Sequence, residues 1–140
     1  NSPGGDIPEL VTLKDTFDRI RATYGVKIRT IGVGWVSSAA CDVVAWGDKG
    51  YRTAYPSTRF LMHDIQWKSD KHPAQYDSIL KRAKEVADVL RLNRQLEKWM
   101  SEATGKPWWK LRKYYDQHIS AHKALELGII DRIELWSPKR

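Results

Sequence analysis

The sequence predicts an α/β fold organised as one domain, and three observations carry that expectation. Helical and strand-like hydrophobic periods alternate along the 140 residues. A strand-like run ending in Gly32-Val33-Gly34 feeds into a helix of small residues opened by Ser37 and Ser38. One long amphipathic stretch, 73–103, interrupts the short elements. The length suits a single hydrophobic core, and no repeat, low-complexity segment or linker divides it.

Each element has its own local reason. Leu10, Leu13, Phe17, Ile20 and Tyr24 recur at three- and four-residue steps, with Pro8 in the first turn and Gly25 at the end, which predicts a first helix. Residues 26–33 carry Val26, Ile28, Ile31 and Val33 and read as a strand. Ser37 and Ser38 open a helix over 39–46 that Gly47 ends. Residues 51–55 and 59–62 are strand-like runs joined by the turn signal Pro56-Ser57-Thr58. Over 73–103, Tyr76, Ile79, Leu80, Ala83, Val86, Ala87, Leu90, Leu96 and Met100 fall on or near one stripe. Gly105 stops that helix and Pro107 opens a short aromatic one. Ser120 caps a last helix closed by Gly128, and 129–133 finishes as a strand.

Composition excludes several classes of function. Hydrophobic residues make up 41% of the chain without any apolar run of the roughly 18 residues that a membrane span needs. The single cysteine, Cys41, excludes an intramolecular disulfide framework and fits a reducing compartment, cytoplasm or an organelle stroma or matrix. The net charge of +7 raises the question of nucleic acid. Its basic residues, however, are scattered along the long helix among Asp77, Glu85, Asp88 and Glu97, as on a solvated face. Only Trp108-Trp109-Lys110-Leu111-Arg112-Lys113-Tyr114-Tyr115 interleaves aromatics and cations, and a packed helix or protein interface is the better use for it. Neither nucleic acid nor membrane is expected as a partner.

The chemistry-bearing residues are Ser38, His63 and Asp116. A serine at a helix start usually caps the helix. Here the glycines before it and Ala39 and Ala40 after it let the backbone turn sharply and bring the hydroxyl to a cleft. The helix N-terminus would favour an oxyanion beside it. Ser37 is the fallback for the same role. His63 follows the apolar run Phe60-Leu61-Met62, where a neutral imidazole suits a general base. Asp116 could orient that imidazole and stabilise its protonated form. Backbone N–H groups of Gly5 and Ala39 could form the oxyanion hole. His118 and His122 stand four apart without a third ligand at a telling spacing, so no metal site and no cofactor is expected.

Asn1-Ser2-Pro3-Gly4-Gly5, Asp15-Thr16, Thr30-Ile31-x-x-Gly34-x-x-Ser37-Ser38-Ala39, Arg59-Phe60-Leu61-Met62-His63, Thr104-Gly105, Asp116 and Ser120-Ala121-x-x-Ala124-x-x-x-Gly128-Ile129-Ile130-Asp131 occur in one order over essentially the whole chain. In this the sequence resembles the ClpP family, proteolytic subunits of the ATP-dependent Clp protease. The resemblance implies a crotonase-like βαβ layered fold with a long protruding handle over about 64–104. It also implies a serine endopeptidase with Ser38 as nucleophile, His63 as base, Asp116 as third member and an oxyanion hole at Gly5 and Ala39. It further implies a homo- or hetero-oligomeric, heptamer-like ring that encloses the sites, an AAA+ ATPase unfoldase and unfolded polypeptide as substrate.

The sequence departs from the family in several places. Family members carry strands and axial loops before the Asn-Ser-Pro-Gly-Gly motif, so the expected fold here lacks its N-terminal strands. Residues 21–29 are a few longer than usual. Ile65-Gln66-Trp67-Lys68-Ser69-Asp70-Lys71-His72 replaces a glycine-rich handle strand, Tyr114-Tyr115 replaces an Asp-Arg pair that couples rings, and Trp35 replaces a smaller polar residue. The alternative is a non-catalytic structural subunit of a mixed Clp ring. A further one is acyl-CoA chemistry on a crotonase-like fold, which would need no such triad.

Overall fold

Pro8 and Gly25 bracket the first helix, α1 (Ile7–Tyr24), as the sequence predicts. Pro8 sits in the first turn, where its missing N–H costs nothing. Gly25 closes the helix at φ +62°, its N–H donating to the Arg21 carbonyl at 2.9 Å. Arg21 then donates to Asp48 Oδ2 at 3.1 Å and to the Trp46 carbonyl, tying α1 to the loop after the next helix. These coordinates are a computed structural model that describes residues 1–66 and 79–135.

The strand expected over 26–33 is shorter and is followed by a second one. β1 (Thr30–Gly32) ends before a turn at Val33-Gly34, and β2 (Trp35–Ser37) begins beyond it. Ile28 is held outside the ladder, its N–H donating to the Asp48 carboxylate at 2.6 Å. Helix α2 (Ala39–Ala45) follows at once, with Ser38 as its N-cap residue. β3 (Arg52–Ala54) and β4 (Arg59–Leu61) fall within the expected runs, trimmed to three residues each.

The elements form a mixed α/β fold with two small sheets. β6 (Arg132–Ile133) joins β3 and β1 in a parallel sheet, order β1-β3-β6. In the other, β2 pairs parallel with β4, and β4 pairs antiparallel with β5 (His118–Ser120). Ser2 extends this second sheet through a parallel bridge to Val36, its N–H donating to the Trp35 carbonyl at 2.8 Å. The segment that opens the sequence is therefore fixed beside β2.

Helix α3 (Ile79–Thr104) accounts for most of the long stripe; the expected start at Pro73 lies outside the described residues. Met100 and Thr104 in its last turns are buried, whereas Val86 and Leu90 remain more than half exposed. Among the described residues, the stripe is fully buried only in its last turns. Pro107 is the N-cap of α4 (Trp108–Arg112), as expected for the aromatic segment. Its cations sit over its own rings, Lys110 and Lys113 over Trp109, and Arg112 over Trp108. Ser120 Oγ accepts from the Lys123 N–H at 3.2 Å and caps α5 (Ala121–Glu126).

Val36, Cys41, Phe60, Leu111, Ile129 and Ile130 are almost wholly buried, so both sheets pack against one core with α2 and α5. Arg52 is buried with them, only 3% exposed. Its guanidinium donates to the Asp131 carboxylate (2.9 Å from Nε) and to the carbonyls of Ala45 (3.2 Å) and Ala103 (2.7 Å). Asp131 Oδ2 also accepts from the N–H groups of Gly50 (2.7 Å) and Arg52 (3.1 Å). One ion pair therefore joins β3, the C-terminal ends of α2 and α3, and the approach to β6. Every polar atom on it has a partner, the condition under which burying charge is tolerable.

Candidate functional site

Ser38 stands where β2 gives way to α2. The chain reverses there with φ +55°, a left-handed value that is strained for a residue with a side chain. The Ser38 N–H donates to the Leu61 carbonyl at 2.7 Å and its carbonyl accepts from Cys41 at 2.8 Å, so the strained turn is held at both ends. Its hydroxyl makes no capping hydrogen bond, although the residue occupies the N-cap position. The ordinary use of a serine at a helix start is thus absent, and the Oγ is available for other chemistry.

Cys41 secures the same turn from beneath. Its buried thiol donates to the Val36 carbonyl (3.0 Å) and lies 3.3 Å from that of Leu61. Burial, reinforced by the neighbouring Asp42 charge, pushes this thiol far above its ordinary value, so it is a packing group and not a nucleophile.

Gly4 approaches Ser38 from the other side. At φ +109° it takes a conformation open to glycine, and a Cβ placed on it would lie 2.6 Å from Ser38 Cβ and 3.1 Å from Oγ. The Gly4 N–H is occupied by Ser2 Oγ at 3.1 Å, whereas the Gly5 N–H has no partner among the described residues. Ala39, at the first position of α2, has no intrahelical acceptor for its own N–H. Gly5, Ser38, Ala39 and His63 all line one open cleft of about 500 Å³.

His63 follows β4, which lies directly beside β2. Its Nδ1 is 2.6 Å from the Asp64 carbonyl oxygen. A carbonyl only accepts, so Nδ1 is the donor in this contact, an arrangement that in the neutral ring makes Nε2 the acceptor. Ser38 and His63 share the cleft without a hydrogen bond between them among the described residues. A tight recess behind it is lined by both residues together with Asp42, Met62, Glu97 and Tyr115.

The backbone of Asp116 is joined to the end of β4, beside His63. Its N–H donates to the carbonyl of Met62, the residue before His63, at 2.8 Å. Met62 and Tyr115 form an isolated bridge. The residue has φ +59°, its side chain is exposed, and its carboxylate makes no hydrogen bond among the described residues. The fallback Ser37 is a β2 residue whose N–H donates to the Ser2 carbonyl at 3.0 Å, and it lines neither cavity beside His63. His118 pairs edge-on with Trp35, ring centroids 4.8 Å apart, and no metal-binding group of His, Cys, Asp or Glu occurs among the described residues. No described helix is long and apolar enough to cross a membrane.

Asp42 lines the candidate site and was not singled out from the sequence. It lies in the first turn of α2, four residues after Ser38, and lines both the cleft and the recess. Burial pushes its carboxyl up to about 7, against which its own backbone N–H supplies only partial relief. The signal available in the sequence was that four-residue spacing from the serine. Tyr115 is the other omission: it lines the recess, and burial, with Asp42, Glu97 and Asp64 next, raises its phenol well above the ordinary value.

A nucleophile-like serine in a strained turn between a glycine-rich segment and a helix, with a histidine on the adjoining strand, can be compared with known proteins. The sequence model of the family described as Clp protease matches residues 1–135. The chain belongs to the Clp protease family. It is 33% identical over 135 residues to the ATP-dependent Clp protease proteolytic subunit of Oltmannsiellopsis viridis, covering 95% of this chain and 64% of that protein. The proteolytic subunit of Chlorella vulgaris is 31% identical over 142 residues, covering 98% of this chain and 66% of its own length. Proteolytic subunit 1 of Thermobifida fusca is 31% identical over 135 residues, with 57% of its length covered. The chain thus spans roughly three-fifths of the length of these Clp relatives.

Proposed function

We propose that this Clp-family chain carries the active site of a serine endopeptidase that hydrolyses unfolded polypeptides within an oligomeric ring served by an AAA+ ATPase. The observation that carries the reading is the free hydroxyl of Ser38, set in a strained turn and sharing a cleft with a histidine whose Nε2 can accept its proton. Ser38 Oγ attacks the peptide carbonyl as His63 Nε2 takes the hydroxyl proton. The N–H groups of Gly5 and Ala39 receive the oxyanion, reinforced by the open first turn of α2. His63 then protonates the leaving amine, and a water deprotonated by the same nitrogen releases the acyl group. In this reading Asp116 turns toward His63 in the assembled protein. In this structure the Asp64 carbonyl holds the same ring tautomer.

The ring, the ATPase and the polypeptide substrate belong to the proposal. They are supported by the family match and by relatives named as subunits of an ATP-dependent protease. A crotonase-like layering, with α3 as the handle between rings, is part of the same reading. A reducing compartment, cytoplasm or organelle stroma or matrix, suits the free Cys41. A second reading, a non-catalytic subunit of a mixed ring, draws on one observation: the Asp116 carboxylate is exposed and unjoined to His63.

The two part on Asp116→Asn in the assembled full-length protein. Peptidase action through a triad predicts hydrolysis of a fluorogenic peptide, with kcat lowered by about 10²–10⁴-fold in the variant. Equal rates for the variant and wild type would remove Asp116 from the mechanism. Unchanged ring activity after loss of both Asp116 and His63 would establish the structural subunit.

A further inference from the structure

The cleft beside Ser38 has a charge opposite to that of the chain. The protein carries a net +7, yet the cleft is lined by Asp6, Asp42 and Asp64 and by no lysine or arginine among the described residues. Two of these acids are readily explained. Asp64 is engaged by Arg112 at 2.7 Å and by the Asn93 amide at 2.9 Å, and Asp6 is the exposed N-cap residue of α1. Asp42 has no such explanation. It lines both the cleft and the recess together with Ser38, and it has no ion pair among the described residues. Glu97, which shares the inner recess with it, is already paired with Arg112 at 2.7 Å. A half-buried carboxylate without a counter-charge is costly to the fold, and such residues persist where a ligand completes them.

We propose that Asp42 makes the cleft selective for polypeptides with a lysine or arginine at the residue whose carbonyl Ser38 attacks. The selectivity rests on the peptidase reading above, because it assigns the residue whose side chain falls beside Asp42. Ser38 and Asp42 line the same cleft and the same recess, so the carboxylate and the hydroxyl present to a shared volume. A substrate bound with its carbonyl at Ser38 sends the side chain of that residue along α2. Leu10, Ile65 and Leu96 line the same cleft and suit the methylene stem of a long cation. The ammonium or guanidinium head then meets Asp42. The state of Asp42 agrees: burial without a nearby cation holds its carboxyl up to about 7, a cost that an incoming cation removes.

The test uses the assembled full-length protein and peptides differing only in the residue before a reporter amide: arginine, lysine, norleucine or glutamate. A charge-assisted hydrogen bond in a partly desolvated cleft predicts kcat/KM for arginine and lysine about 10–100-fold above norleucine, with glutamate lowest. Asp42→Asn should bring the arginine-to-norleucine ratio near unity, and Asp42→Glu should restore part of it. A wild-type preference for norleucine overturns the proposal. So does an equal fall for every peptide in Asp42→Asn, which would make Asp42 a support for His63.

A second measurement needs no catalysis. Binding to the Ser38→Ala protein of peptides ending in arginine or norleucine should show the same preference and the same dependence on Asp42. That preference without hydrolysis of any peptide would sink the peptidase reading and sustain a cation-selective cleft. Hydrolysis without the preference would do the reverse.

Discussion

Ser38→Ala is expected to lower peptide hydrolysis by the assembled full-length protein by about 10⁵–10⁶-fold, the scale seen when a triad nucleophile is removed. The hydroxyl has no structural duty that alanine would forfeit, since it caps no N–H of α2. The strained backbone at φ +55° is retained by alanine at a similar cost, with the Leu61 and Cys41 hydrogen bonds still in place. Stability should therefore change by less than about 1 kcal/mol while activity collapses. Steady-state kinetics beside thermal unfolding would check both halves. A variant that keeps more than a hundredth of the activity would show that another group is the nucleophile.

The largest effect on stability is expected at Arg52 and Asp131. Asp131→Ala leaves the buried Arg52 guanidinium without its counter-charge and should cost about 3–5 kcal/mol. In a domain of this size that is a fall of roughly 10 °C or more in unfolding midpoint. Arg52→Ala should cost less, because the partly exposed Asp131 keeps the N–H groups of Gly50 and residue 52. It does strand the carbonyls of Ala45 and Ala103, at the C-terminal ends of α2 and α3. The pair also sets a dependence on acid. Burial works to raise the Asp131 carboxyl, but its bonds to the Arg52 side chain and to the N–H groups of Arg52 and Gly50 hold it below the ordinary carboxylate value. The unfolded chain then takes up a proton at Asp131 before the native one does. The stabilisation is complete above the ordinary carboxylate range, about pH 4–5, and is lost as pH falls through the depressed native value. Urea unfolding between pH 3 and 7 would show this acid loss in wild type and a flatter profile in Asp131→Ala.

Much of the candidate site's geometry was legible because it is local. A serine behind Gly32-Val33-Gly34 and before Ala39-Ala40 needs nothing distant to suggest a sharp turn, and the structure places the strained residue there. His63 was legible as the end of an apolar strand, and the pairing of β2 with β4 brings it to the same cleft as Ser38. Asp42 was not, because its four-residue spacing from Ser38 is a weak signal and Cys41-Asp42-Val43-Val44 does not say what packs around it. Only the packing of α2 against α3 and the end of β4 turns it from a helix residue into the wall of a cavity.

The same division runs through the fold. Helices with strong punctuation, α1 between Pro8 and Gly25 and α5 after Ser120, follow the sequence closely. β5 escaped notice because His118-Ile119-Ser120 is too short to show a period and exists through its ladder with β4. The run 26–33 was overextended because alternation alone could not foresee the competing bond from Ile28 to Asp48. Along α3 the apolar stripe was read correctly as helical, but periodicity cannot tell which end finds a partner; Met100 is buried and Leu90 is not.

The central claim is that Ser38 is a nucleophile activated within its folded cleft. Tandem mass spectrometry of the full-length, assembled protein after treatment with a fluorophosphonate tests it most directly. One adduct on Ser38, absent from His63→Gln and from protein denatured before treatment, is the predicted result. An adduct on another residue, or none on active, assembled protein, would contradict it.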